Sequence, residues 1–205
     1  MDLLLSLGWS PKTVLDVGGF KGNWTRAYQR VFPMASFTVI EPNPHPELQN
    51  VKARVFYEIV AAQRETIPWY SNLSTGDSIY RETTRHYSGV APSYRTTTTL
   101  DTLFPTETFD FVKLDVQGAE VDVLRGGEHL LQGTDVLLIE CPFAGRYNEG
   151  APTFATYIET VTALGFSPLD IAEFHRAGNV LIQVDIVFLR TSSPLWSHIQ
   201  KRLTA

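Results

Sequence analysis

A single cysteine, Cys141, stands among 205 residues, so no disulfide can form within the chain. That fits a reducing compartment, and the expected location is cytoplasmic. Cys141 ends an apolar run and reads as a small buried hydrophobe rather than a nucleophile. No segment approaches the roughly 18 apolar residues needed to span a bilayer. The start of the chain holds Leu3, Leu4 and Leu5 but no basic lead-in and no small-residue cleavage site, so it reads as a short amphipathic helix. Long basic runs are missing, and the formal net charge is −5. Nucleic acid is therefore not an expected partner, because phosphate binding wants a Lys/Arg face. No His/Cys cluster with zinc spacing occurs. Repeats and low-complexity linkers are missing as well.

What is present suits one domain over 1–205, with 43% hydrophobic and 12% aromatic residues and an N-terminal helix or extension over 1–12. Apolar runs predict strands at 14–17, 37–40, 54–60, 66–70, 94–99, 109–115, 136–141, 167–171 and 180–189. Helices are expected at 24–31, with Asn23 as its N-cap, and at 100–104, 120–124 and 154–164. Alternating strands and helices imply an α/β fold, a mostly parallel sheet with helices on both faces. The final two strands are joined by a hairpin-like connection over 173–178 rather than a helix, so the last strand should run antiparallel. Residues 72–93 show no period and are rich in Ser, Thr, Gly and Tyr. A connection that long favours a substrate lid over a passive link.

Two apolar runs end on acids. Val14-Leu15-Asp16-Val17 leads into Gly18-Gly19-Phe20-Lys21-Gly22, and Phe37 to Ile40 leads into Glu41-Pro42. Such a glycine turn lets backbone approach a ligand, and an acid ending the second strand suits ribose hydroxyls, as in Rossmann-like nucleoside sites. Asp16 argues against a dinucleotide, since a carboxylate there would repel the pyrophosphate that a helix N-terminus attracts. It suits a cationic nucleoside instead, and S-adenosylmethionine (SAM) carries a sulfonium and an ammonium. The plainer alternative is a tight strand-to-helix turn with Asp16 as a helix cap.

Asp115 ends the strand at 109–115, and Glu140 nearly ends the one at 136–141. With Asp16 and Glu41, four acids face one crevice at the carboxyl ends of the strands, unless each only caps the helix that follows. Lys113 and Asp115 sit two apart and project from one strand face. A lysine inside a central strand is costly unless paired, and Asp115, Glu120 and Glu140 are the available partners. The pair reads either as a structural clamp on the turn or as a charged pair beside the reacting group.

Lys113-Leu114-Asp115-Val116-Gln117-Gly118-Ala119-Glu120, followed by Val123-Leu124-Arg125-Gly126-Gly127, closely resembles the signature of FkbM-type SAM-dependent methyltransferases. The likeness extends to Leu15-Asp16-Val17-Gly18, Glu41-Pro42, Thr99-Leu100-Asp101 and Leu138-Ile139-Glu140. It departs at Gln117, where the family usually has Glu, so Gln117 receives no catalytic role. The resemblance implies a class I methyltransferase fold, with a seven-stranded, mostly parallel sheet and an antiparallel last strand. It implies SAM as cofactor and O-methylation of a hydroxyl on a sugar, glycan or other small-molecule natural product. Cofactor binding then falls to Asp16, Gly18, Gly19, Gly22, Glu41, Pro42 and Asp115, with Asp77 and Ser78 reaching adenine from the loop after the third strand. Chemistry falls to Asp115 and Lys113, with His86 a further candidate base because imidazole titrates near neutrality.

His45 and His175 read as structural and surface residues. A divalent metal held by Asp115 with Glu140 or Glu120 is a less favoured alternative. Acceptor choice is expected to sit in the loops 72–93 and 142–152. Two rival classes stand beside the methyltransferase. One is a catalytically silent methyltransferase-like binding module, which Gln117 keeps open. The other is a nicotinamide-dependent oxidoreductase, which Asp16 and the lack of a Tyr-x-x-x-Lys pair disfavour.

Overall fold

The structure is a computed structural model that describes residues 1–144 and 147–204. Gly145 and Arg146 of the expected specificity loop, and Ala205, lie outside the described residues. The chain runs through α1 (Asp2–Ser6), β1 (Thr13–Val17), α2 (Asn23–Val31), β2 (Ser36–Ile40), β3 (Arg54–Phe56), β4 (Ile59–Val60), β5 (Thr66–Trp69), β6 (Ser93–Thr98) and α3 (Leu100–Leu103). It continues through β7 (Phe111–Leu114), α4 (Glu120–Arg125), α5 (Glu128–Leu131), β8 (Val136–Pro142), α6 (Phe154–Ala163), β9 (Phe166–Ala177), β10 (Val180–Arg190) and α7 (Leu195–Leu203).

Seven strands form one sheet in the order β3-β2-β1-β7-β8-β10-β9. β1 pairs in parallel with β2 and β7, and β7 with β8, while β10 runs antiparallel to both β8 and β9. The expected fold, with its antiparallel last strand, is therefore what forms. The reversed β10 carries its N-terminal residues to the same edge of the sheet as the carboxyl ends of β1, β2, β7 and β8. β4, β5 and β6 make a second, three-stranded sheet.

The central strands are apolar on both faces, as a doubly covered sheet requires. Leu15, Val112, Leu114, Leu137 and Ile139 pack on one face with Val121 and Leu124 of α4 and Tyr157 and Val161 of α6. Val14, Phe111, Val136, Leu138 and Val187 pack on the other face, against Trp24 and Tyr28 of α2, Leu4 of α1, and Trp196 and Ile199 of α7. α7, whose short span closes the tail, was not foreseen. It is tied down by Trp196 Nε1 donating to the Arg190 carbonyl at 3.0 Å and by Arg202 donating to the Ser6 carbonyl at 2.9 Å.

Several local expectations are corrected. The single strand at 54–60 is two, because β2 ends at Ile40 and leaves β3 only three residues to pair with. The chain then departs through half-exposed Tyr57 to start the second sheet. α2 is capped by Gly22 at φ 74°, not by Asn23, which is its first residue and accepts a hydrogen bond from Arg26. The connection at 173–178 is strand: β9 reaches Ala177, and the turn is Gly178-Asn179, with Gly178 at φ 58°. Residues 72–93 are not structureless. Tyr70 pairs with Ser78 and Glu82 with Asn148, and Arg85–Tyr87 forms a 3₁₀ turn.

The turn after β1 has no room for a side chain. Gly18 lies at φ 81°, and a Cβ there would stand 1.8 Å from the Asp115 carbonyl oxygen. Gly18→Ala should cost about 2–4 kcal/mol from left-handed strain plus overpacking. Chemical denaturation measures it, and an unchanged midpoint would show that the two turns are not locked together.

Candidate active site

On the α2 face of the sheet, the strands change character at one edge. Val14 gives way to Asp16, Phe111 to Lys113 and Asp115, Leu138 to Glu140, and Val187 to Asp185. The register sets Asp16 beside Lys113, and Asp185 beside Glu140 on one side and Glu173 of β9 on the other. A row of charge thus crosses the sheet above its apolar floor.

Lys113 sits at the centre of that row, only 5% exposed. Its Nζ lies 3.3 Å from Asp16 Oδ1 and 3.1 Å from Asp115 Oδ2, with the Trp24 ring 5.5 Å away. Burial pushes the ammonium pKa down, but the two carboxylates outweigh it and hold the group above the usual lysine value. Asp16 is fully buried and also accepts from Thr25 Oγ1 at 2.5 Å. It is the buried counter-ion of Lys113.

The turn after β7 is fixed by Glu120. Its carboxylate accepts from the backbone N–H of Val116 at 2.7 Å and of Gly118 at 3.0 Å, and from the Tyr157 hydroxyl. Burial lifts its pKa to about 7. Within this turn Gln117 stands at φ 56°. Its Nε2 donates to Asp115 Oδ1 at 2.9 Å and to Glu140 Oε2 at 2.8 Å. Gln183 Nε2 donates to the other Glu140 oxygen, and the Tyr147 hydroxyl lies 2.8 Å from Gln183 Oε1. Burial, with Asp115 nearby, raises the Glu140 pKa well above the carboxylate range.

On the other side, Glu41 follows β2. Its Oε2 accepts from the Phe20 N–H at 2.8 Å and its Oε1 from the Asn43 N–H at 2.9 Å. Burial raises its pKa against the effect of those two donors. Asp77 gathers the loop above: it accepts from Asn43 Nδ2 at 2.8 Å, Ser71 Oγ at 2.5 Å and Tyr87 OH at 2.6 Å.

Many of these groups border one cavity of about 510 Å³. The half toward β1 and β2 carries Gly18, Phe20, Glu41 and Pro42, and the half toward β8, β9 and β10 carries Glu140, Tyr147, Glu173, His175 and Asp185. Lys113 and Asp115 line it too. The first half fits SAM: a bare glycine turn, apolar flanks for a purine, and a carboxylate placed for ribose hydroxyls. The donor set does not fit a divalent metal. Asp115 and Glu140 share the amide of Gln117, and the Glu120 oxygens are taken by backbone N–H groups and Tyr157.

Of the expected site residues, Gly18, Glu41, Pro42, Asp77, Lys113 and Asp115 come together on the cavity. Asp16, Gly19, Gly22 and Ser78 are not among its lining residues. Gly19 and Gly22 shape the turn, and fully buried Ser78 donates to the Gln117 carbonyl at 2.8 Å. His86 is exposed on its 3₁₀ turn and is not among the lining residues, whereas His175 is. Gln117 was named in the sequence without a role, and Tyr147, Gln183 and Asp185 were missed. Asp185 was findable: an acid amid the apolar run of 180–189 is as anomalous as Lys113 in its strand.

The family model described as "Methyltransferase FkbM domain" matches residues 16–168. No curated protein matches by sequence. Among solved structures, the chain is similar to 1,6-didemethyltoxoflavin-N1-methyltransferase of Burkholderia thailandensis, which has S-adenosylhomocysteine bound. That likeness has a TM-score of 0.52 at 16% identity and covers 93% of this chain and 76% of that one. Magnesium protoporphyrin IX methyltransferase of Synechocystis PCC 6803, with bound SAM, is similar at TM-score 0.54 and 12% identity over 92% of this chain and 74% of that one. Precorrin-6y C5,15-methyltransferase of Geobacter metallireducens is similar at TM-score 0.51 and 10% identity over 93% and 85%. At such identities these likenesses bear on the fold.

Glu120 gives a pH test. Its folded pKa, about 7, lies above the ordinary 4.5, so its contribution is full below pH 4.5 and is lost as pH rises through 7. Wild type should lose more thermal stability between pH 5 and pH 8 than Glu120→Gln, which does not titrate. Parallel melting curves for the two proteins would exclude Glu120 as the source.

Proposed function

The chain belongs to the FkbM methyltransferase family and is a SAM-dependent methyltransferase, and from that premise we propose that it methylates a hydroxyl of a sugar, glycan or other natural-product acceptor. The observation that carries this reading is the division of the cavity. A nucleoside half bounded by Gly18 and Glu41 meets a polar half bounded by Glu140 and Asp185, and Lys113 and Asp115 line the cavity with both.

SAM, when bound, supplies an electrophilic methyl group. Glu41 holds the ribose and the glycine turn lets backbone approach, while Pro42 and Asp77 wall the adenine end. Ser78 acts at one remove, by tying the 72–93 segment to the Gln117 carbonyl. That segment, gathered on Asp77, forms the roof. Lys113 and Asp115 form a fixed charge pair at the transfer point, and much of the rate comes from positioning. A hydroxyl must lose its proton as the methyl arrives, and a carboxylate lining the polar half can receive it. The sequence also has no Asn-Pro-Pro-Tyr-type element of the kind used on amino groups. Its one cysteine, buried Cys141, suits a reducing cytoplasm.

The direct test of the acceptor is a mass gain of one methyl on glycans or metabolites from cells with the gene, lost in cells without it. Two variants test the site. Glu41→Ala should weaken SAM binding by about 1–3 kcal/mol in calorimetry, the range for leaving partners unpaired. Unchanged affinity would remove Glu41 from the site. Asp115→Asn should cut turnover strongly and leave SAM affinity within about tenfold, or about 1.4 kcal/mol. Lost binding would make Asp115 a scaffold residue, and surviving turnover would show that the reaction does not need the Lys113–Asp115 charge pair.

A further inference from the structure

The proton of the acceptor hydroxyl needs a destination, and the hydrogen bonds of the polar half narrow the choice. Asp115 spends one oxygen on Lys113 and the other on Gln117. Glu140 spends one on Gln117 and the other on Gln183. Asp16 is held by Lys113 and Thr25. Glu173 is exposed, beside His175. Asp185 differs. It lines the cavity, and neither of its carboxylate oxygens has a hydrogen-bond partner among the described residues: Oδ1 is sealed from solvent and Oδ2 is open to it. A cavity-lining carboxylate that no protein donor engages is the one left to meet a donor that arrives from outside.

Resting on the methyl-transfer reading, we propose that Asp185 is the catalytic base, accepting the proton of the acceptor hydroxyl at its open oxygen, Oδ2. The hydroxyl oxygen forms its bond to the methyl carbon with its own lone pair. The carbon–sulfur bond breaks, and its electrons stay on sulfur as a neutral thioether. The O–H proton passes to the Asp185 carboxylate and is then lost to solvent. The groups facing Asp185 are Lys113 of β7, Asp115 just after it, Glu140 of β8, Glu173 and His175 of β9, and Tyr28 of α2. Burial first, then the Asp115 charge, raises the Asp185 pKa to about 6, against the pull of Lys113 and His175. That is close to the working range of a general base.

The experiment measures transfer of tritiated methyl from SAM into a small-molecule extract of the producing cells, between pH 5 and pH 9. Wild type, Asp185→Asn and Asp185→Glu are compared, with S-adenosylhomocysteine affinity and melting temperature recorded for each. Wild-type transfer should rise through about pH 6 and level off. Asp185→Asn should lose about 10²–10⁴-fold and the rising limb with it, at unchanged S-adenosylhomocysteine affinity. Asp185→Glu should recover part of the rate and the limb. If Asp185→Asn transfers methyl with the wild-type pH profile, Asp185 is not the base, although the methyltransferase reading stands. If Asp185→Asn does not fold, Asp185→Ser replaces it, and a folded Asp185→Ser with the wild-type rate and pH profile overturns the assignment equally. A wild-type protein that binds SAM yet labels nothing across the extract overturns the methyl-transfer reading and this assignment with it.

Discussion

One buried ammonium organises the catalytic edge. Lys113 is clamped between Asp16 on β1 and Asp115 at the end of β7, so the two central strands are joined by charge where their backbone ladder ends. A buried ion pair is weak evidence for net stability, but removing one partner leaves an uncompensated charge in low dielectric. The rest of the site is referenced to that clamp. The Asp115 carbonyl leaves no room for a side chain at Gly18, and the Asp115 N–H donates to the Val17 carbonyl at 3.0 Å. The cofactor turn and the turn carrying Gln117 are therefore one rigid unit.

Gln117 extends that unit across to β8. Its amide joins two carboxylates that would otherwise repel each other, and the strained backbone at φ 56° aims it there. A glutamate in this place would put a third carboxylate beside the other two. The departure from the family wording, which in sequence looked like a loss, is in space a neutral bridge between acids.

Much of this was legible beforehand because short-range chemistry decides it. The run 14–17, its glycine turn, Glu41-Pro42 and the Lys113–Asp115 spacing each announce a strand end with a charged or bare residue. The antiparallel last strand followed from two strands with no helix between them. What failed to show depends on partners distant in sequence. The break between β3 and β4 is set by where β2 stops. Asp16 looked like a ligand contact because its partners, Thr25 and Lys113, are fixed only once the sheet is assembled. Gln183 meets Glu140 and Tyr147 across about forty residues, and no local period announces that.

The reversed direction of β10 separates two kinds of change. One side of the cavity is built by β1, β2 and the turn after β7, and the Lys113 clamp ties β1 to that turn. The other side borrows Gln183 and Asp185 from β10 and His175 from β9, a hairpin whose tip at Gly178 stands in open space. Under the proposed function, sequence drift in that hairpin would reshape one wall of the cavity while the clamped turns keep theirs.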